Sequence, residues 1–145
     1  MDVAISFIKT FLYQLNSFIM NSILGLGKYL FAVPFAVFGI MHLMNADAMA
    51  GMAPFGGSIM VYITGLALIA AAVSIIIGKM DKLATALLGL MLLLFVLLIH
   101  AKGLANAADA GASAMAMSGL LKDLALAGAA WMYSASLAKD NSVIG

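Results

Sequence analysis

The stretches SIMVYITGLALIAAAVSIII at 58–77 and LATALLGLMLLLFVLLI at 83–99 decide the fold, because neither contains a charged residue. Two further apolar runs, Lys28–Met44 and Leu124–Leu137, carry no charge beyond Lys28. Each run approaches the roughly 20 apolar residues that a helix needs to cross a bilayer core of about 30 Å. Lipid cannot satisfy backbone hydrogen bonds, so the runs are predicted to be helices. The sequence therefore predicts an all-α integral membrane protein built as a four-transmembrane-helix bundle.

The composition excludes a water-soluble protein. The chain is 66% hydrophobic and only 9% charged, whereas soluble domains carry about 25% charged residues. Its net charge is +1, and all of its cationic side chains are lysines, so no strong positive field would recruit nucleic acid. The chain has no cysteine, which excludes disulfide exchange and thiolate metal sites on this chain. The expected partners are the lipid bilayer and other membrane proteins or further copies of the chain.

The N-terminal segment 1–26 shows an amphipathic pattern that sets it apart from the four runs. Polar residues recur every three to four positions, and Phe7, Phe11 and Leu15 lie largely opposite them. This spacing predicts an amphipathic helix in the plane of the membrane interface, with a fifth span as the alternative. Gly25 and Gly27 predict a break before the first span. Two regions follow: the helix at 1–26 and a membrane domain at 27–145.

The lysines predict an orientation for the four spans. The predicted loops are 45–57, 78–82 and 100–119, so the first and third lie on one face and the second on the other, with both termini. The face with the termini carries most of the lysines, namely Lys9, Lys28, Lys79, Lys82 and Lys139, whereas the opposite face carries Lys102 and Lys122. By the positive-inside rule the lysine-rich face is cytoplasmic. Both termini are therefore expected in the cytoplasm.

The residues that could bind a ligand collect on the outer face. The candidates are His42 and His100 at the ends of spans one and three, Tyr62 in span two, and Lys122 and Asp123 at the start of span four. Each span also carries a glycine, at Gly39, Gly65, Gly89 and Gly128. Small residues let membrane helices approach closely. If these glycines face inward, the candidates converge at the outer mouth of the bundle, where ionisable residues favour a functional site.

Simpler explanations exist for the same residues. A histidine at a helix end can be an interfacial residue, and an aspartate near a helix N-terminus is favoured by the helix dipole. A metal site is a further possibility, because the thioethers of Met41 and Met44 and the imidazoles of His42 and His100 suit Cu(I). Methionine is also a flexible apolar gap-filler. A haem held between the two histidines is the remaining alternative.

The stretch 27–138 resembles the DoxX family of small four-span bacterial membrane proteins. The resemblance is carried by GKYLFAVPFAVFGIMHLMNADAMAGMAP at 27–54, VYITGLALIAAAVSIII at 61–77 and SGLLKDLALAGAA at 118–130. It implies a four-helix bundle in the bacterial inner membrane and a tie to membrane redox systems. Two positions differ from the family pattern: Lys28 stands where many members have arginine, and no carboxylate follows Gly65 in span two. A buried proton relay in that span is therefore not expected.

Three function hypotheses follow. The preferred one is a non-catalytic subunit or assembly factor of a larger, redox-linked membrane complex, with the N-terminal helix docking a partner. The second is a module that binds a quinone or another lipid at the outer mouth, through His42, Tyr62, His100, Lys122 and Asp123. The third is metal handling on the outer face. The sequence shows no buried acid, thiol or metal cluster, so no catalytic residue is predicted and the chain is not expected to act as an enzyme alone.

Overall fold

The computed structural model describes residues 2–144, with side chains from Ser6 to Ile144. The structure is 85% helix, and no strand occurs among the described residues, so the all-α prediction is confirmed. The helices are α1 (Asp2–Gly25), α2 (Gly27–Met44), α3 (Ala46–Met49), α4 (Gly57–Ile77), α5 (Asp81–Phe95), α6 (Ala101–Ala105) and α7 (Ala110–Ser136). A 3-10 turn at Ala50–Met52 follows α3, and a π-helical segment at Val96–His100 joins α5 to α6.

Three helical stretches are long and apolar enough to cross a membrane. They are Ser6–Met44, Gly57–Ile77 and Asp81–Ala105. Many large apolar side chains on them are exposed, among them Ile59 and Leu97, as expected where lipid is the solvent. The chain thus has the helices of a membrane protein in contact with a bilayer. Helix α7 is rich in alanine and glycine and is not one of the three, so the predicted fourth span stays a prediction.

The chain divides into two compact units, Met1–Phe31 and Ala32–Gly145. In the first unit, α1 ends at Gly25 and a turn at Leu26 precedes α2. The helix is interrupted at Leu26 alone, between the two glycines where a break was predicted, and Ser6–Met44 is otherwise one helical stretch. Every residue described from Ser6 to Gly27 is exposed. The position of this segment on or across the membrane stays a prediction.

In the second unit, α5 and α7 run antiparallel and are joined by side-chain hydrogen bonds. The indole Nε1 of Trp131 donates to the carbonyl of Ala86 at 3.1 Å. One turn further along α7, the hydroxyl of Ser134 donates to the carbonyl of Lys82 at 3.0 Å. These bonds fix the register of the two helices, so the C-terminal end of α5 lies beside the N-terminal half of α7.

Close helix crossings occur at three of the four predicted glycines. A Cβ on Gly39 would lie 2.7 Å from the carbonyl oxygen of Gly65, and a Cβ on Gly65 would lie 2.9 Å from that of Gly39. A Cβ on Gly89 would overlap the ring of Trp131. The prediction was wrong for Gly128, which is exposed and has nothing within 4 Å of its Cβ position. The buried side of α7 is formed instead by its neighbour Ala127 and by residues in step with it.

The third predicted loop, at 100–119, is mostly helical. Helix α6 occupies Ala101–Ala105, and α7 begins at Ala110, well before the predicted start of span four. The carboxylate of Asp109 caps α7 by accepting from the N–H of Ala112 at 2.8 Å. Alanine has the highest helix propensity, so an alanine-rich segment with such a cap forms a helix. The loop prediction failed because it used only hydropathy.

Candidate functional site

The second unit contains an apolar cleft of about 660 Å³. Its lining comes from the C-terminal half of α2, the segment after it, the N-terminal half of α4, the end of α5 and α7. The side chains that make its walls are mainly aromatic and aliphatic, among them Phe35, Phe38, Met60, Leu68, Phe95 and Leu126. Clefts of roughly 300–1,000 Å³ with apolar walls and a few polar groups are typical of small-molecule sites.

Four of the five predicted ligand-binding residues line this cleft. They are His42, His100, Lys122 and Asp123. Tyr62 is not among the lining residues, and 43% of its surface is exposed. The inward side of α4 carries Val61, which lies one position away and is buried. The two histidines, which are far apart in sequence, therefore face a common cavity, while the tyrosine points elsewhere.

His100, Lys122 and Asp123 form a charged cluster at the cleft. The Asp123 side chain is 8% exposed, and each of its carboxylate oxygens has a partner. A carboxylate accepts only, so Nε2–H of His100 donates to Oδ2 at 3.0 Å. The ammonium of Lys122 lies 3.4 Å from Oδ1. A polar group buried this far needs such hydrogen-bond partners.

Two features of the backbone place the His100 ring against Asp123. The π-helical segment Val96–His100 adds a residue to the last turn, and such segments are frequent at functional sites. On α7, Gly119 leaves the space that the imidazole fills, because a Cβ at this position would overlap Cε1 and Nδ1 of His100. The ring thus lies directly on the backbone of α7. Gly119 was not among the predicted site residues.

Lys122 connects α7 to α2 across the cleft. Its ammonium lies 5.1 Å from the centroid of the Phe38 ring, within the range of a cation–π contact. The side chain is 51% exposed. Lys122 therefore offers the cleft a positive charge and N–H donors, while its position is restricted by Asp123 on one side and by the aromatic ring on the other.

His42 stands at the end of α2 and hydrogen-bonds its own helix. Its Nδ1 lies 2.7 Å from the carbonyl oxygen of Phe38. Since a carbonyl only accepts, Nδ1 must carry a proton. Its neighbour Asn45 acts in the same way, because its Nδ2 donates to the carbonyl of Met41 at 2.9 Å. Both side chains line the cleft, so the groups that they leave for a ligand include the Nε2 of His42 and the Oδ1 of Asn45.

The metal candidates do not assemble into one cluster. Among the residues that the structure describes, no three histidine, aspartate or glutamate side chains are grouped as metal ligands. Met41 lines the cleft with both histidines, but Met44 does not and is 77% exposed. The His100 Nε2 is engaged by Asp123. A Cu(I) site would therefore have to be built on His42 and Met41.

A second polar cluster, which sequence analysis missed, lies at the opposite end of α5 and α7. The carboxylate of Asp81 is fully buried and accepts from the backbone N–H groups of Lys139 and Asp140 at 2.9–3.1 Å. It also accepts from the hydroxyl of Tyr133 at 3.3 Å. In return, Asp140 accepts from the N–H of Met80 at 2.8 Å. We call these five residues the C-terminal latch.

The Asp140 carboxylate of the latch remains ionised at neutral pH. Hydrogen bonds from Ser142 and from the N–H of Met80 lower the pKa of Asp140 to about 2. Met80 itself adopts a left-handed conformation, with φ 52°, which is uncommon for a residue with a side chain. The only sequence signal was a charged turn near a polar tail. Apart from the hydroxyl of Tyr133, the partners of Asp81 are backbone N–H groups, which any residue could supply, so no motif marks them.

Comparison with protein-family models, with curated proteins and with solved structures finds no match for this chain. The resemblance to the DoxX family therefore stays a prediction. Function is inferred from the cleft itself, which combines an apolar cavity with one buried carboxylate, one ammonium and two imidazoles. These groups can bind and orient a polar head while apolar walls hold a hydrocarbon portion.

Proposed function

We propose that this chain is a DoxX-like membrane protein that binds a quinone or a similar lipid in the cleft between α2, α4, α5 and α7. The observation that carries the proposal is the grouping of His42, His100, Lys122 and Asp123 at one cavity with otherwise apolar walls. A membrane quinone has two carbonyl oxygens on its ring and an apolar tail. Its carbonyl needs a donor such as Lys122, and its tail needs the aromatic and aliphatic walls.

The proposal includes an arrangement in the bacterial inner membrane. The four spans are α2, α4, α5 with its extension to Ala105, and α7. The distribution of lysines supports cytoplasmic termini. In this arrangement the cleft opens towards the periplasmic side and the C-terminal latch lies at the cytoplasmic side. Helix α7 crosses as part of the bundle because its polar residues, Lys122 and Asp123, are paired with each other and with His100.

The test is to fill the cleft without disturbing the core. Ala67 lines the cleft but is exposed, so Ala67→Trp should occupy the cavity at little structural cost. We expect its affinity for a decyl-substituted benzoquinone in nanodiscs to fall at least about tenfold, a loss of roughly 1.4 kcal/mol. Ala70→Trp is the matched control, since Ala70 is exposed on the same helix and does not line the cleft.

The expected pattern is lost binding in Ala67→Trp and unchanged binding in Ala70→Trp. Lipids extracted from the purified wild type should also include a quinone or another amphiphile that is depleted in Ala67→Trp. If the wild type neither retains nor takes up such a molecule, or if both variants bind it equally, the cleft is not the site.

A second function, that of a non-catalytic subunit in a larger membrane complex, is favoured by α1. Its large apolar residues are exposed, for example Phe7 at 72% and Phe18 at 71%. We expect deletion of residues 1–26 to release a membrane protein that co-purifies with the full chain, measured by crosslinking and mass spectrometry. Unchanged co-purification, or a full-length chain without any partner, would contradict this function and leave ligand binding in place.

A further inference from the structure

The protonation pattern of His42 restricts the chemistry of the ligand. Its Nδ1–H is used by the carbonyl of Phe38 at 2.7 Å. In the uncharged imidazole only one nitrogen carries a proton, so Nε2 then holds a lone pair and can only accept. Within the part of the chain that the structure describes, the ring of His42 makes one hydrogen bond, to the carbonyl of Phe38. His42 thus brings to the cleft an accessible acceptor that a ligand's donor can use.

Among the described residues that line the cleft, including Thr64 with its hydroxyl, none donates a hydrogen bond to His42. Nε2–H of His100 donates to Asp123, and Lys122 is held between that carboxylate and the Phe38 ring. The Asn45 amide donates one N–H to the carbonyl of Met41, which leaves its second N–H as a donor and its Oδ1 atom as a second acceptor near the end of α2. An apolar ligand, or one with acceptors only, would leave the Nε2 of His42 and the Oδ1 of Asn45 without a donor when it displaced water.

We infer that the cleft selects amphipathic ligands whose polar head donates a hydrogen bond, as a hydroxyl does, and that His42 is the residue that reads this hydroxyl. The inference rests on the proposed binding function and narrows it. A hydroquinone can hydrogen-bond both His42 and Lys122. One of its hydroxyl groups donates to Nε2 of His42, while a hydroxyl oxygen accepts from Lys122. A fully oxidised quinone can accept from Lys122 but has no proton to donate to His42. An aliphatic alcohol shares the chemistry that His42 reads.

The test compares heads on one tail in wild-type protein in nanodiscs at pH 8, under argon. The probes are a decyl-substituted hydroquinone, its dimethyl ether, the corresponding benzoquinone, and decanol. We expect the hydroquinone to bind about tenfold more tightly than the ether and the benzoquinone. If decanol competes and its competition depends on His42, aliphatic hydroxyls bind His42 in the same way. If decanol does not compete, the selection is restricted to phenolic hydroxyls.

His42→Phe removes the acceptor and keeps a ring of similar size. In this variant the preference for the hydroquinone over its ether should disappear, while affinity for the ether persists. Val37→Phe is the control, because Val37 is exposed on the same helix and does not line the cleft. Should His42→Phe fail to fold, nitrogen NMR of wild-type His42 decides: a proton on Nδ1, with a shift of Nε2 on addition of the hydroquinone, is expected.

The possible failures are distinct. Equal affinity of the wild type for the hydroquinone, the ether and the benzoquinone would overturn the selection by His42 and leave the proposed binding function intact. Binding of none of these probes would remove the binding function itself. A preference for the hydroquinone that survives in folded His42→Phe would assign the selection to another residue and would also overturn the inference.

Discussion

Replacing Asp81 with alanine should destabilise the protein by about 2–4 kcal/mol, a large loss for one side chain. The variant removes the acceptor that the part-buried N–H groups of Lys139 and Asp140 share, and an unsatisfied donor costs roughly 1–3 kcal/mol where it is buried. The total is reduced because the tail can detach and be hydrated. The chain has one tryptophan, so Trp131 fluorescence can follow unfolding in detergent.

The control for this prediction is Asp140→Ala, in the same latch. Asp140 bonds the N–H of Met80 in an exposed setting, so its loss should destabilise the protein much less than the loss of Asp81 does. Release of the tail should also be visible as faster tryptic cleavage after Lys139 in Asp81→Ala than in wild type. Equal stability of the two variants, with equal cleavage, would mean that the latch does not hold α5 and α7 together.

The all-helical fold could be predicted from hydropathy because lipid leaves helices as the simplest way to satisfy a backbone. The same property hides the orientation of each helix. In α4 nearly every residue is apolar. The face with Tyr62 and the face with Val61 both contain Gly65, so from the sequence either could be the buried face. The structure buries Val61. Periodicity identifies an inward face only where polar residues contrast with apolar ones.

The candidate site was predicted in part because polar residues contrast with an apolar chain. His42, His100, Lys122 and Asp123 are rare polar residues in an apolar chain, and polar groups at membrane depth gather where they can pair. Their pairing could not be predicted, because it depends on the π-helical turn before His100 and on the missing side chain of Gly119. A glycine in an alanine-rich helix gives no signal of what packs against it.

Gly119→Ala should separate His100 from Asp123 and lower the affinity for the decyl hydroquinone at least about tenfold. The added Cβ would overlap the imidazole and lie 3.1 Å from its Nε2. The ring is the mobile end of a side chain, so it would swing away rather than force the helices apart. The buried carboxylate of Asp123 would then lose one of its partners, at a cost of about 1–3 kcal/mol. Nitrogen NMR of His100 would show the lost hydrogen bond.

Gly128→Ala on the same helix isolates this effect, because its Cβ would meet nothing within 4 Å. Removing a glycine from a helix interior stabilises it by roughly 0.5–1 kcal/mol, so Gly128→Ala should raise stability and leave binding unchanged. In a His100→Ala background the space above Gly119 is empty, and Gly119→Ala should then stabilise as much as Gly128→Ala does. If Gly119→Ala instead behaves like Gly128→Ala in the wild-type background, His100 does not depend on this glycine for its position, and the pairing with Asp123 must be set by the π-helical turn alone.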